Sequence, residues 1–258
     1  MDTRLPAVLV TGAAKRLGAS VARAFGAAGW HVVIHYGTSA QAAEALAAQL
    51  PSAEAIHCDL ADGSAAVRMV EALAARLPDW RVLVNCAAIF RPDDGTALDP
   101  LTYDRCMAIN AKTPIRMTQA FLHHACAKGP RTAIQFTDQK LENPNPDFFS
   151  YTLSKHAAAA AIPMLAMANP DDCIYGLAPG AILPSHDQDD AEAERSHVLN
   201  LLHRRTDVDE IADAALFLAT GALASGETLF VDSGQHLLDQ PRDVIYLARE
   251  DGVHGAAA

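Results

Sequence analysis

Tyr151 and Lys155 are four residues apart, a spacing that brings two side chains to the same face of a helix. A nearby ammonium lowers the pKa of a phenol, so the pair predicts an acid/base centre that works near neutral pH. The pattern Tyr-x3-Lys is common by chance, and its placement therefore matters more than its presence. Asp138 precedes Tyr151 by thirteen residues, at the expected end of a strand, and adds a carboxyl group to the candidate centre.

A second candidate site is the loop over residues 11–18, which reads TGAAKRLG between a short apolar run and a predicted helix. Small residues let backbone N–H groups approach a pyrophosphate, and a helix N-terminus favours its negative charge. Lys15 and Arg16 add positive charge there. The loop predicts a dinucleotide site, but it lacks the usual GxGxxG pattern, and an ordinary strand–helix turn is the alternative.

The end of the second predicted strand bears on the choice of dinucleotide. It reads HYGTS over residues 35–39, without the acidic residue that hydrogen-bonds the ribose hydroxyls of NAD. Lys15, Thr38 and Ser39 can hold a 2′-phosphate, so the pattern favours NADPH. An ordinary loop with Ser39 as a helix N-cap is the alternative. Asp59, after the third strand, either reaches the adenine edge or serves as a turn residue.

Short apolar runs alternate with Ala-rich helical stretches, which is typical of βαβ units. The predicted strands are 7–10, 31–36, 54–58, 81–85, 131–137, 173–177 and 228–231. The predicted helices are 16–28, 39–50, 64–77 with Ser64 as N-cap, two within 99–128, 151–168 with a kink at Pro163, and 208–220. Right-handed crossovers put helices on both faces of such a sheet. We expect an α/β fold in which residues 1–258 form one Rossmann-like domain with a doubly wound parallel sheet of about seven strands.

The composition limits the possible partners. The chain has 258 residues, 50% of them hydrophobic, and a formal charge of −11, which argues against nucleic acid or an anionic membrane. We find no apolar run long enough to span a membrane and no signal-peptide pattern. The five cysteines are widely spaced and are interpreted as reduced thiols of a cytoplasmic protein. Histidines and carboxylates lack metal-ligand spacing, so no metal site is predicted.

Along almost its whole length the sequence resembles the short-chain dehydrogenase/reductase family. The matching pieces, in chain order, are Thr11-Gly12…Gly18, Cys58-Asp59-Leu60, Asn85-Cys-Ala-Ala88, Asn110, Tyr151-x3-Lys155, Pro179-Gly180 and Val231-Asp-Ser-Gly234. The resemblance implies an oxidoreductase with a small-molecule substrate. It also implies a homotetramer and a substrate-covering segment over about 181–205, followed by a tail after about 238.

Two departures narrow the resemblance to the pteridine reductase branch, which includes dihydromonapterin reductases. Arg16 and Asp138 stand where the family usually has Gly and Ser, and both replacements occur together in that branch. Phe90 and His35-Tyr36 also resemble it. The implied reaction is hydride transfer from NADPH to a dihydropterin. Ala88, where a hydroxyl is frequent, and Thr38, where some members have Arg, depart from the branch.

The resemblance also assigns roles to residues. It makes Asp138 and Tyr151 a proton-donating pair, lets Lys155 hold the nicotinamide ribose, and lets Asn110 support a water or the position of Lys155. Arg16, Phe90 and Tyr151 are expected to face the substrate. The expected cofactor contacts are Gly12, Lys15, Arg16, Leu17, Gly18, Tyr36, Thr38, Ser39, Asp59, Leu60, Asn85, Ala87, Pro179 and Gly180.

Other interpretations remain. One is a reductase or dehydrogenase of another carbonyl or alcohol, of 3-oxoacyl or sugar type. Another is an NADP-binding sensor without turnover, against which the intact Tyr151 and Lys155 argue. The five acidic residues within 187–194 are interpreted as a solvated face, and His186 and His197 are candidates to reach the substrate.

Overall fold

The computed structural model describes residues 5–185 and 188–255, and it confirms the doubly wound parallel sheet. The strands in these ranges are β1 Ala7–Val10, β2 His31–Tyr36, β3 Ala53–His57, β4 Trp80–Asn85, β5 Thr132–Phe136, β6 Cys173–Pro179 and β7 Thr228–Val231. All pair in parallel, in the order β3-β2-β1-β4-β5-β6-β7. The order reverses at β1, so the crevice beyond the carboxyl ends of β1 and β4 is the expected ligand site.

Helices cover both faces of this sheet. Those in the described residues are α1 Arg16–Ala27, α2 Ala40–Gln49, α3 Gly63–Ala74, α4 Pro100–Cys106, α5 Thr113–His124, α6 Phe149–Ala168, α7 Asp190–His197, α8 Val208–Ala219 and α9 Val244–Gly255. Within β1, Val8 and Val10 pack in the cluster that contains α1 and α8 side chains, whereas Leu9 packs with α3 and α5. Burial on both sides explains the uninterrupted apolar run of this strand.

Most predicted elements lie within a few residues of their expected positions, and the differences have local causes. Helix α3 begins at Gly63, because the Asp62 carboxylate caps it by accepting from the N–H groups of Ser64 and Ala65. The predicted cap at Ser64 is therefore wrong. Pro163 lies inside α6, which continues through it to Ala168.

The two helices expected within residues 99–128 are joined without a loop. A π-helical turn, Met107–Lys112, connects α4 to α5 and contains Asn110. Such turns are rare in proteins, and those that do occur are often found at functional sites. The turn gave no signal in the sequence, because it differs from an α-helix only in the hydrogen-bond register.

The segment after β6 and the tail pack together. Helix α7 lies in the polar segment predicted to cover the substrate, and Arg195 and Glu192 contact Ala248 and Arg249 of α9. The tail is thus packed and helical, while His186 and Asp187 lie outside the described residues. Within residues 5–185 and 188–255, no helix is both long and apolar enough to cross a membrane.

Candidate active site

The loop between β1 and α1 has the shape required to approach a phosphate. Gly12 has φ +65°, and a Cβ there would lie 2.9 Å from the Cα of Ala87. A Cβ on Gly18 would lie 2.5 Å from the carbonyl oxygen of Gly12. Helix α1 begins at Arg16 and has no acidic residue in its first turn. Glycines at both close approaches, together with a helix N-terminus, fit a dinucleotide phosphate.

His35 holds this loop in place through hydrogen bonds, a role that the sequence did not reveal. The backbone N–H of Gly12 donates to His35 Nδ1 at 3.1 Å, and His35 Nε2 lies 3.0 Å from the carbonyl oxygen of Cys58. Nδ1 must be the acceptor, so the proton is on Nε2. Burial lowers the pKa of His35 to about 4, which keeps the ring neutral.

Arg16 adopts a backbone conformation that normally favours glycine, with φ +55°. Its exposed guanidinium Nη2 donates to the carbonyl oxygen of Leu183 at 3.4 Å. The residue thus links the phosphate loop to the segment that follows β6. Arg16 in place of the family's usual Gly therefore strains the backbone, and it adds a hydrogen bond between two segments that line the cavity.

Asp138 and Tyr151 are directly bonded. The Tyr151 hydroxyl donates to Asp138 Oδ2 at 2.5 Å, and the N–H of Lys140 donates to Asp138 Oδ1 at 2.9 Å. Burial raises the pKa of Asp138 above its ordinary value. A half-buried carboxyl of raised pKa in contact with a phenol can store a proton and pass it on.

Lys155 does not act on Tyr151 as the sequence suggested. Its ammonium donates to the carbonyl oxygen of Phe136 at 2.7 Å and lies 5.5 Å from the centroid of the Tyr151 ring. Burial and the neighbouring Asp138 raise the pKa of Tyr151, and burial lowers that of Lys155. The expected lowering of the Tyr151 pKa is therefore wrong for this structure, because desolvation and a like charge outweigh the ammonium.

Asn110 positions its neighbours through three hydrogen bonds. Its side chain accepts from the N–H of Ile89 at 2.8 Å and donates to the carbonyl oxygen of Ile89 at 3.0 Å. It also donates to Ser154 Oγ at 3.0 Å, one residue before Lys155. Of the two roles left open by the resemblance, these contacts fit support of the Lys155 position.

A cavity of about 420 Å³ lies between the phosphate loop and the Asp138–Tyr151 pair. The predicted site residues that line it are Gly12, Lys15, Arg16, Leu17, Gly18, Ala87, Phe90, Asp138, Tyr151, Lys155, Pro179 and Gly180. The remaining predicted residues, which are not part of its lining, are Tyr36, Thr38, Ser39, Asp59, Leu60, Asn85 and Asn110. Asp59 accepts from the N–H of Ala61, as a turn residue does, and Ser39 stands before α2 without a side-chain capping bond.

Asn85 supports the wall of the site instead of facing it. It is 1% exposed, and its amide donates to Thr118 Oγ1 at 3.0 Å. Its Oδ1 has no partner among the described residues. Of the two residues that the resemblance places on the adenosine side, Ala87 lines the cavity and Asn85 does not.

Phe90 lies beside the reactive phenol. Its ring stacks on Phe148, with centroids 3.9 Å apart, and meets Tyr151 edge-on at 4.7 Å. One face of Phe90 is thus covered by the protein. The half-buried ring lines the cavity next to Tyr151, where it offers an aromatic surface for stacking.

Several cavity residues were missed by sequence reasoning. They include Lys140, Gln235, Asp243, Val244 and Ile245. No pattern marks them, because contacts between distant segments bring them to the cavity. His197, weighed as a substrate contact, does line it, and burial lowers its pKa to about 4. No group of three metal-ligating side chains occurs in the described ranges.

Comparisons with known proteins agree with this architecture. A family model described as enoyl-(acyl carrier protein) reductase matches residues 12–236. The solved FolM alternative dihydrofolate reductase 1 of Brucella suis, in complex with NADP, is 31% identical with a TM-score of 0.86, covering 93% of this chain and 98% of that one.

Two curated relatives carry different activities in their names. A putative ketoacyl reductase 2 of the granaticin polyketide synthase of Streptomyces violaceoruber is 27% identical, over 90% of this chain and 97% of its own length. Pteridine reductase 1 of Leishmania tarentolae is 28% identical, over 90% and 96% respectively. The chain is thus similar to reductases of more than one substrate class.

Proposed function

Because the chain belongs to the short-chain dehydrogenase/reductase family, we propose that it reduces a dihydropterin to its tetrahydro form with NADPH. The observation that carries this proposal is the 2.5 Å hydrogen bond between Tyr151 and Asp138. A hydroxyl at position 138 would bond a ketone oxygen, whereas a carboxyl can deliver a proton toward a ring nitrogen. The similarity to FolM and to a pteridine reductase supports the same substrate class.

The cofactor assignment rests on the phosphate loop and on the neighbours. Gly12, Gly18 and the start of α1 fit a pyrophosphate, and Lys15 and Arg16 lie there as cations. Three solved neighbours of similar fold are NADP complexes. Thr38 and Ser39 are proposed to hold the 2′-phosphate, with Tyr36, Asp59 and Leu60 beside the adenosine. When bound, NADPH supplies the hydride.

The protein's own residues then manage the proton and the orientation of the substrate. Tyr151 Oη donates its proton to the ring nitrogen next to the carbon that receives the hydride. Asp138, in its protonated form, returns a proton to Tyr151 through their hydrogen bond and recovers its own from water. Lys155, positioned by Asn110 and Phe136, is proposed to hold the nicotinamide ribose. Phe90 covers one face of the pterin.

A second candidate is the reduction of a carbonyl, of 3-oxoacyl type. The similarity to a polyketide ketoacyl reductase favours it, as does the Tyr151–Lys155 pair, which the whole family resemblance shares. A non-catalytic NADP sensor is the least favoured, because the bonded Asp138–Tyr151 pair is arranged for proton transfer.

The test is NADPH oxidation by the wild type and by Asp138→Ser, each with 7,8-dihydrobiopterin and with a 3-oxoacyl thioester. We expect Asp138→Ser to lower pterin reduction by more than about tenfold, because a hydroxyl cannot replace the acid. Under the same conditions, the thioester rate should be unchanged or higher. Brisk thioester reduction by the wild type with no pterin turnover would overturn the proposal.

We also propose that the chain assembles as a homotetramer in the cytoplasm. Helix α6 exposes Leu153, Met164 and Met167, which are 38%, 58% and 76% exposed, and a second copy would cover them. The five free cysteines fit a reducing compartment. Sedimentation equilibrium should give a particle of four chains, and Met167→Glu should reduce its size.

A further inference from the structure

Helix α6, which carries Tyr151 and Lys155, begins without a cap of its own. Its N-cap residue is Phe148, which has φ +53° and makes no side-chain hydrogen bond to the helix. The first bond within the helix runs from the N–H of Thr152 to the carbonyl oxygen of Phe148 at 2.9 Å. The N–H groups before it need partners from outside the helix, as at any helix start.

Asp93 supplies those partners from another part of the chain. It lies on the segment that follows β4, and its carbonyl oxygen accepts from the N–H of Phe149 at 3.4 Å. Its carboxylate Oδ1 accepts from the N–H of Ser150 at 3.0 Å, and Oδ2 accepts from the Ser150 hydroxyl. Ser150 is fully buried, and Asp93 is half-buried. Asp93 therefore caps α6 in place of a local side chain, with its negative charge at the favourable end of the helix dipole.

The backbone of Tyr151 is thus held on both sides. The residue before it is the one that Asp93 holds. Its carbonyl oxygen accepts from Ser154 Oγ at 2.6 Å, and Ser154 Oγ accepts in turn from the Asn110 amide at 3.0 Å. From this fixed backbone the phenol reaches Asp138 Oδ2 at 2.5 Å. A bond so short is sensitive to any shift of the first turn of α6.

The left-handed conformation of Phe148 is strained, since residues other than glycine rarely adopt it. Its ring stacks with those of Phe90 and Tyr246, at centroid distances of 3.9 and 6.0 Å. Lys140 Nζ lies 5.9 Å from the centroid of Phe148, and it pairs with Asp243 Oδ2 at 2.9 Å. Strain of this kind persists only where the surroundings enforce it. The start of α6 is therefore set by contacts from other segments.

Resting on the proton-donating role proposed for Tyr151, we propose that Asp93 is a positioning residue for the reaction. It does not line the cavity, and it acts through α6 by fixing the position of the Tyr151 hydroxyl against Asp138. Phe90 lies three residues before it on the same segment. Loss of the cap should let the first turn of α6 fray and move the phenol away from the carboxyl, while the phosphate loop stays intact.

The experiment measures NADPH oxidation by the wild type and by Asp93→Ala, each with 7,8-dihydrobiopterin and with a 3-oxoacyl thioester. We expect Asp93→Ala to lower kcat by about 10- to 100-fold with the substrate that the wild type reduces, because misplacement of a reacting group by about 1 Å has an effect of that size. The KM for NADPH should change by less than about twofold, since this change does not touch cofactor binding. An unchanged kcat would overturn the inference.

Asp93→Asn separates the cap from the charge. Burial and the charge of Asp93 raise the pKa of the Cys106 thiol to about 11, and Cys106 packs in one cluster with Tyr151. A direct effect of the charge is therefore the competing explanation. Asp93→Asn keeps an oxygen for the Ser150 N–H, so kcat should stay within about threefold of the wild type. A loss as large as that of Asp93→Ala would mean that the charge acts directly, and it would overturn the positioning role.

The matched control is Asp207→Ala. Asp207 caps α8 by accepting from the N–H of Asp209 at 3.0 Å, and none of the α8 residues 208–219 lines the cavity. This variant should lower the melting temperature, as the loss of a cap does, without changing kcat. If Asp93→Ala also loses only stability and its folded fraction keeps the wild-type kcat, Asp93 has no positioning role.

Ser150→Ala keeps the test decisive if Asp93→Ala does not fold. It removes the hydroxyl that bonds Asp93 and adds no volume at a buried position. It should lower kcat by about threefold or more with the KM for NADPH unchanged, as the loss of one hydrogen bond allows, and an unchanged kcat refutes the inference. A wild type that reduces the thioester and not dihydrobiopterin would instead overturn the proposed function, and the effect of Asp93→Ala on the thioester rate would still decide this inference.

Discussion

The two ends of the cavity are built in different ways. At the cofactor end, the phosphate loop connects neighbouring elements β1 and α1, and local features of the chain shape it, such as Gly12 at φ +65°. At the substrate end, the wall is assembled from residues far apart in the sequence. Asn143 bonds Gln240 across 97 positions, and Asp147 bonds Arg242 across 95. Local shape can be recognised in a sequence, whereas long-range pairing cannot.

The largest expected effect separates proton transfer from cofactor binding. Tyr151→Phe should reduce turnover by roughly 10²–10⁴-fold, because a positioned proton donor contributes that much. The affinity for NADPH, measured by fluorescence titration, should change little, since the phosphate loop is untouched. Near-normal turnover would show that Tyr151 serves only to pack the cavity.

At the cofactor end, His35 should make stability depend on pH. Its pKa is about 4 when folded and 6.5 when unfolded, so the unfolded chain binds more protons between these values. Stability from this group is complete above pH 6.5 and declines as the pH falls toward 4, by on the order of 3 kcal/mol.

His35→Gln is the matched variant for that prediction, because an amide can accept from Gly12 and donate to Cys58 without titrating. Urea unfolding at pH 7 and at pH 4.5 should show a smaller loss for the variant than for the wild type. Equal losses would mean that His35 is not the titrating group, and His197 would then be the next residue to replace.

Phe90→Ala should have a smaller effect, and it tests the substrate end of the cavity. It removes a stacking surface that substrate and transition state share, so KM for a dihydropterin should rise severalfold with kcat within about twofold. The cofactor KM is the internal control. If Phe90 only fills space against Phe148, the melting temperature will fall and the kinetics of the folded enzyme will not change.

The smallest effect is expected at Arg16, which has a strained backbone and a hydrogen bond to Leu183. Arg16→Gly relieves a left-handed conformation that costs on the order of 1 kcal/mol and should raise the melting temperature by about 2–4 °C. It also removes a cation from the cofactor end, so the KM for NADPH should rise. A variant that is less stable would show that the link from Arg16 to Leu183 outweighs the strain.

Sequence reasoning was successful where physical requirements are local. The inner strands followed from apolar runs that are buried on both faces, whereas β3 and β7 at the sheet edges are only half-buried. Tyr151, Lys155 and Asp138 met because strand ends and a helix start converge at one edge of the sheet. Reasoning by spacing gave the wrong direction for the Tyr151 pKa, because desolvation depends on the complete fold. The hydrogen bond from Asn85 to Thr118 behind the cavity wall has no signal in the sequence for the same reason.

The substrate end was not predictable, because its residues have no local pattern. Lys140 is an ordinary polar residue until Asp243 lies against it, and α9 was recognised only as a tail. His35 was noticed as part of a resemblance, but its contacts to Gly12 and Cys58 join three strand ends that only the sheet order brings together. The tertiary structure therefore adds most at the substrate end of the cavity.

The pair between Lys140 and Asp243 also has a consequence for protein synthesis. Its two halves leave the ribosome about 100 residues apart, which at 5–20 residues per second is a delay of roughly 5–20 s. Strands β1 to β5 and the phosphate loop can form during that interval, whereas the ammonium of Lys140 has no carboxylate to receive it. A nascent chain should therefore form its phosphate loop first and complete the opposite wall of the cavity only after the tail has been translated.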